Sequence, residues 1–175
     1  MPAAPFPSHW PQVPACYQWL SLDRRGQWRL QGERISHPGL LAFLQQHYQS
    51  APDGCWFVQN GPQKVYVDLA AAPWVFHREG DAVLAHTGAS AGEIHALFLD
   101  REGSLYLQTT LGFGLLDDRD LASWLGECQP GDDASWDALL AGKAIRITWR
   151  GLPLTLIDAA ELPQRFAFNP HPRPE

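Results

Sequence analysis

Hydrophobic positions along the chain change period in a fixed order, and that order comes round twice. Val65, Val67 and Leu69 alternate with Lys64, Tyr66 and Asp68, and Ile145, Ile147 and Trp149 alternate with Arg146, Thr148 and Arg150. A period of two marks strands with one buried and one wet face. Leu40, Leu41, Phe43, Leu44 and Tyr48 recur instead at three- and four-residue spacing, as do Leu121, Trp124, Leu125 and Cys128, so a helix is predicted at each place. Ser36, ahead of His37-Pro38, supplies a capping hydroxyl for the first helix, and Asp117 or Asp118 a capping carboxylate for the second. A hairpin is predicted before each helix. The turn tetrads are Asp23-Arg24-Arg25-Gly26 and Asp100-Arg101-Glu102-Gly103, in which Asp accepts backbone hydrogen bonds and Gly supplies a positive φ. A second hairpin follows each helix, turning at Asn60-Gly61 or Arg150-Gly151. Asp-capped helical turns over 68–73 and 158–163 close the pattern.

The recurrence extends to residue identity. LSLDRRGQWRLQ (20–31) and LFLDREGSLYLQ (97–108) agree at seven of twelve positions without a gap, at a displacement of 77. Unrelated segments should agree at roughly one position in fifteen. Leu40, Phe43 and Leu44 match Leu121, Trp124 and Leu125. Gly61, Asp68, Ala70, Pro73 and Phe76 match Gly151, Asp158, Ala160, Pro163 and Phe166 at a displacement of 90, so the second copy carries 13 further residues, mostly around 130–143. Two copies are too few for a solenoid. The fold class expected is α+β, an internal duplication with two similar lobes, each of antiparallel hairpins and one main helix.

The boundaries follow from the breaks. Residues 1–14 hold five of the fifteen prolines and form an irregular arm; residues 15–87 are the first lobe and 88–168 the second; the tail 169–175 is expected to fray. An additional hairpin, 74–78 with 82–86, precedes the linker at 87–92, and a short helix over 133–140 makes up much of the second-copy insertion.

Composition narrows the class. With 45% hydrophobic, 11% aromatic and 18% charged residues, the chain is built for a packed core. A net charge of -6 and a pI near 5.6 argue against duplex nucleic acid as partner. No apolar run suits a membrane helix, and the opening residues lack a signal-peptide pattern, so no membrane association is expected. Cys16, Cys55 and Cys128 form no C-x-x-C pair; Cys55 and Cys128 read as small core residues, and the expected compartment is the cytoplasm.

Candidate chemistry is sparse. His77, His86 and His95 recur at nine-residue intervals, which fit no single helix or hairpin face, so no metal site is assigned. The segment 86–93 lacks the G-K-[ST] of a phosphate loop. Gly88-Ala89-Ser90-Ala91-Gly92 has the letters of a nucleophile elbow, but a strand, not a helix, is expected after it. The pairs Asp117/Asp118 and Asp132/Asp133 sit at helix starts, where capping explains them. No catalytic residue and no cofactor are assigned. What remains are polar and aromatic groups on the wet faces of two strands: Lys64, Tyr66, Arg146 and Arg150. These suit an anion and a stacked ring, and would line the cleft between lobes packed about a pseudo-twofold axis. The alternative is a solvated sheet face.

The order of D-x-x-G-x-W (Asp23, Gly26, Trp28), Gly32, Ile35, the L-x-x-F helix, Phe57-Val58, 64–67, Ala72-Pro73-Trp74 and Arg150-Gly151-Leu152 through Ile157 resembles a proteobacterial family of uncharacterised proteins. That family has a duplicated α+β core and a pleckstrin-homology-like second half. The similarity runs from Trp19 to Phe166. It implies a non-enzymatic ligand-binding or signalling role, with a nucleotide-type small molecule between the repeats. Lys64 and Arg150 match basic positions of its motifs, whereas Ser36 stands where an arginine is frequent. Two other functions stay open: a protein-interaction adaptor using exposed tryptophans and a sheet edge, with a protein partner in place of a ligand, and a hydrolase at Ser90.

Overall fold

In the computed structural model, which describes residues 6–175, the first half of the chain builds a sheet around a helical crossover. β1 (Ala15–Leu22) turns back into β2 (Trp28–Leu30), followed by β3 (Glu33–Arg34) and helix α1 (Pro38–His47). The meander β4 (Tyr48–Ser50), β5 (Trp56–Asn60) and β6 (Gln63–Leu69) then brings β6 parallel to β1, with Leu20 opposite Val67 and Leu22 opposite Leu69. A parallel pair cannot be joined by a tight turn, so the intervening helix is the connection the pairing requires. The strand order is β3-β2-β1-β6-β5-β4. α1 buries Leu40 and Leu44, two positions of its predicted stripe.

A hairpin, β7 (Trp74–Glu79) and β8 (Ala82–Ala85), leads into the second half. There follow β9 (Ile94–Leu99), β10 (Leu105–Thr109), β11 (Phe113–Leu116), α2 (Asp118–Gly126), β12 (Cys128–Gln129), α3 (Asp133–Leu140), β13 (Thr148–Trp149), β14 (Leu152–Leu156), a 3-10 turn (Ala159–Glu161) and α4 (Leu162–Arg165). The second sheet runs β12-β13-β14-β9-β10-β11-β7-β8. From β11 to β12 it repeats the order of the first sheet, and β14 lies parallel to β9 as β6 does to β1. Leu20 faces Leu30 in one hairpin and Leu97 faces Leu107 in the other, the same pairing at a displacement of 77.

The turn tetrads match to the atom. One oxygen of Asp23 accepts from the backbone N–H of Arg25 and Gln27 (both 2.9 Å), and one of Asp100 from Glu102 (3.0 Å) and Ser104 (2.9 Å). The other oxygen takes Arg29 Nε in the first turn (3.0 Å) and the Tyr106 hydroxyl in the second (3.1 Å), again at equivalent positions.

Several expectations are corrected by long-range pairing. The hairpin β7–β8 falls within the predicted first lobe, residues 15–87, yet it joins the second sheet because β7 pairs parallel with β11. Asp68 caps no helical turn: it is a residue of β6, opposite Ser21, whereas Asp158 does cap, accepting from Ala160 N (3.0 Å). The alternation over 145–150 yields only the two-residue β13, and Arg146 lies in the irregular segment after α3. The cap of α1 is the His37 ring, whose Nδ1 accepts from Leu40 N (3.1 Å), and not Ser36. The proline-rich tail is tied down: Leu69 N donates to Pro170 O (2.8 Å), Asn169 N to Gly54 O (2.9 Å), and Arg173 pairs with Asp68 (2.8 Å).

Of the predicted arm 1–14, residues 1–5 lie outside the described residues. Trp10 is buried, its Nε1 donating to Gln63 Oε1 (2.8 Å), while Gln63 Nε2 donates to the carbonyls of Pro11 and Val13. The three cysteines are free and buried, and burial pushes their thiol pKa values up. Five tryptophans are buried and Trp19, Trp56 and Trp136 are half-buried, so the exposed tryptophans expected of an adaptor are not found. Among the described residues no helix is long and apolar enough to cross a membrane.

Candidate ligand-binding site

Arg150 sits at the tip of the β13–β14 hairpin with φ 46°, and Gly151 follows at φ 83°. Two successive positive φ values define the tight hairpin turn whose twist suits the strands, and its first position ordinarily favours Asn, Asp or Gly. An arginine there is strained. Its guanidinium lies over the Trp149 ring, 4.6 Å from the centroid, and Nη2 is 3.3 Å from Glu127 Oε2.

The same carboxylate holds a second arginine. Arg78 of β7 reaches Glu127 through Nη1 (2.6 Å) and Nη2 (3.0 Å), and Trp149 Nε1 donates to Glu127 Oε2 (3.0 Å). Arg78 lies over Trp124 at 5.0 Å, and Trp124 stacks on Trp149 at 4.3 Å and 15°. Two stacked indoles thus each carry a guanidinium, with one carboxylate between two cations. Hydrogen bonding from Arg78 holds the Glu127 carboxyl below its ordinary range against the opposing effect of desolvation. Arg78 is committed further, to Ser123 Oγ (3.0 Å), and its backbone N–H to Asp120 Oδ2 (2.8 Å). Arg150, half exposed, has no other ion pair among the described residues.

Arg78 and Arg150 line an open cavity of about 350 Å³ with Asp81, Ser90, Gly92 and Trp149. Its walls are the β7–β8 hairpin, the segment between β8 and β9 and the β13–β14 turn, all on the second sheet. Lys64, Tyr66 and Arg146 are not among its lining residues. Lys64 and Tyr66 share the outer face of β6, where Lys64 Nζ lies over Phe57 (4.9 Å) and Tyr66 stacks on Tyr17 (4.7 Å, 7°). The four predicted residues are therefore not brought together: Lys64 and Tyr66 lie on β6, Arg146 in the irregular segment after α3 and Arg150 at the β13–β14 turn. Arg78 and Glu127, missed by sequence reasoning, are separated by 49 residues and meet only because β7 docks on β11; no local period signals such a contact.

Ser90 Oγ accepts from Gly92 N (3.2 Å), and β9 follows the segment, so the strand-to-helix turn of a nucleophile elbow is lacking. The evenly spaced histidines have separate partners: His77 meets Glu79 (3.2 Å) and His95 meets Thr110 (3.3 Å). His86 Nδ1 accepts from Val75 N (3.2 Å), which places the ring proton on Nε2, an enclosed atom without a partner. Trp28, Tyr48 and Trp74 surround it at 5.3–5.6 Å. Burial, with a smaller push from His77, lowers its pKa to about 3. Among the described residues no three His, Cys, Asp or Glu side chains are grouped to hold a metal ion.

The fold has a solved counterpart. A DUF1285 family protein from Silicibacter pomeroyi DSS-3 is similar over 85% of this chain and 84% of its own, with a TM-score of 0.54 at 18% identity. A DUF1285 family protein from Shewanella baltica OS155 is similar over 62% of this chain and 91% of its own, with a TM-score of 0.43 at 16% identity. These likenesses concern the backbone alone. By sequence, the chain belongs to the family described as "Protein of unknown function (DUF2946)", which matches residues 7–173. No curated protein matches.

Proposed function

We propose that this protein is a non-enzymatic ligand-binding or signalling module that takes a small anionic ligand, a phosphate or carboxylate of nucleotide-like kind, in the cavity beside Arg150 on the second sheet rather than between the two repeats. The observation that carries the reading is the strained Arg150, poised over Trp149 and sharing one carboxylate with Arg78 at the wall of a cavity. Strain at a non-glycine turn residue is tolerated where the side chain is needed in place. An arginine with uncommitted donors beside a ring suits an anionic group attached to a flat base. We infer further that the halves descend from one doubled unit, a reading supported by the shared strand order and the matched Asp turns. Buried free thiols accord with a cytoplasmic setting.

Thermal denaturation with a panel of mononucleotides and small carboxylates tests this. A ligand at one hundred times its Kd stabilises by about 2.7 kcal/mol. The rise in Tm should disappear in Arg150→Ala and persist in Lys64→Ala, since Lys64 is remote from the cavity. No shift with any compound, or an undiminished shift in Arg150→Ala, overturns the reading.

One patch favours the adaptor as a second reading. Leu140 is 41% exposed, and with Leu99, Leu125 and Trp136 it lines an open, mainly apolar hollow of about 440 Å³. Self-association or partner capture that Leu140→Glu abolishes would support it.

A further inference from the structure

The Arg150 cavity carries charge of both signs, on matching supports. Asp81 lines it beside Arg150. Glu79 pairs with Ala82, so Gly80-Asp81 forms a two-residue turn between β7 and β8, with Gly80 at φ 61°. Trp149 pairs with Leu152 about Arg150-Gly151 in the same way. Each charged residue therefore stands on a tight hairpin tip whose backbone is fixed by strand pairing. β8 is pinned from its other side as well: Ala91 N donates to Val83 O (3.0 Å) and Ala85 N to Ala89 O (2.8 Å). A site built on such tips needs little ordering when a ligand arrives.

The charges balance. Arg78 and Glu127 pair through two donors and cancel each other. Hydrogen bonding to Glu127 pushes the Arg78 pKa up against desolvation, and Asp81 adds a Coulombic attraction of its own, so its carboxylate belongs to the same cluster. Arg150 touches Glu127 through Nη2 alone (3.3 Å) and keeps donors to spare. Asp81 is exposed and enters no ion pair among the described residues. Two arginines thus face two carboxylates, and one cation and one carboxylate remain to be matched. A bare anion would gain from Arg150 and lose to Asp81, whereas a ligand with a cation of its own gains from both.

We propose that this cavity is a receptor for a small zwitterion, whose phosphate or carboxylate pairs with Arg150 and whose ammonium group pairs with Asp81. On this view, which rests on the anion reading of the same cavity, Asp81 selects against anions that bring no positive charge.

The test is calorimetric titration of the full chain, at neutral pH and fixed ionic strength, with aminoethyl, aminobutyl and aminohexyl phosphate. Each is compared with the alkyl phosphate in which a methyl group replaces the ammonium. At least one aminoalkyl phosphate should bind about fivefold more tightly than its methyl counterpart, the size expected of an exposed ion pair. Asp81→Asn should erase that advantage and tighten the plain alkyl phosphates, because it leaves the cavity positive. Asp137→Asn removes the same charge from α3, outside the cavity, and should leave the advantage intact. Arg150→Ala should lose every compound. Equal affinity within each pair on the unmodified protein overturns the zwitterion assignment and leaves the anion reading standing. So does an advantage that survives in Asp81→Asn, or one that Asp137→Asn also erases. Binding that survives Arg150→Ala, like the failure of every phosphate to bind, overturns the anion reading with it.

Discussion

Arg24, at the tip of the first Asp turn, donates from Nη2 to the hydroxyl of Ser104, in the second Asp turn, at 2.6 Å. Its neighbour Arg25 pairs with Asp118, the first residue of α2, at 2.9 Å. The two matched hairpins therefore meet tip to tip. Each turn is also stapled internally by its own carboxylate.

Those carboxylates should not be equally important. Asp100 is 2% exposed and accepts from two backbone N–H groups and the Tyr106 hydroxyl. Asp100→Ala leaves all three donors short and should cost about 2–3 kcal/mol, whereas Asp23→Ala, whose Arg29 partner is solvated, should cost about 1 kcal/mol. Urea midpoints measured at constant m compare them; equal losses would contradict this account.

The enclosed His86 makes stability depend on pH. The unfolded chain takes up this proton below pH about 6.5, and the folded protein resists until about 3. Stability should therefore fall as pH is lowered through that window, by up to about 1.4 kcal/mol per pH unit from this group. His86→Asn, which keeps an acceptor for Val75 N and does not titrate, should flatten the slope. A variant that retains the full slope would show the dependence to lie elsewhere.

Asp117 acts in a more acidic range. Burial pushes its carboxyl up, but the Arg119 side chain and backbone bonds prevail and hold it below its ordinary value. A depressed carboxyl stabilises the fold above its unfolded pKa of about 3.9, and that stability is lost as pH falls through the folded value. Asp117→Asn should accordingly be destabilised at pH 7 and approach the parent protein near pH 3. Parallel thermal melts at the two pH values would reveal a gap that fails to narrow.

Gly114 permits the parallel pairing of β11 with β7. A Cβ there would strike the Phe76 ring and lie 2.7 Å from the Trp74 carbonyl. Gly114→Ala should cost about 1–3 kcal/mol through overpacking, and amide exchange in β7 and β8 should rise before that of β9. Unchanged protection of β7 would place the strain elsewhere.

Local elements were legible in the sequence because period and turn chemistry are local. The hairpins at Asp23 and Asp100, the helices α1 and α2 and a capping aspartate at 117 or 118 follow from spacing alone, whereas Tyr48 and Cys128, the last positions of the two stripes, begin β4 and β12 instead. Partnership between strands was not, since β7 runs from apolar Trp74-Val75-Phe76 to polar His77-Arg78-Glu79 and nothing in that pattern says that it pairs with β11. Identity also misled at Asp68 and Asp158. Register sets Asp68 opposite Ser21 and Thr155 opposite Phe98, and Ser21 and Phe98 are the equivalent pair. Thr155, not Asp158, is the spatial counterpart of Asp68. Of the predicted site, Arg150 was recognisable as a cation at a hairpin tip, while Glu127 and Arg78 needed the folded chain to meet it.

In each half the opening strand lies beside the closing one, β1 against β6 and β9 against β14. A ribosome extruding this protein would deliver β1, its hairpin and α1 while the neighbour that completes the sheet was still unmade. Each half must wait for its last strand before its centre can close, and during that wait the apolar edge of β1 or β9 stands bare. Protection of those edges during synthesis is a demand that this strand order places on the cell.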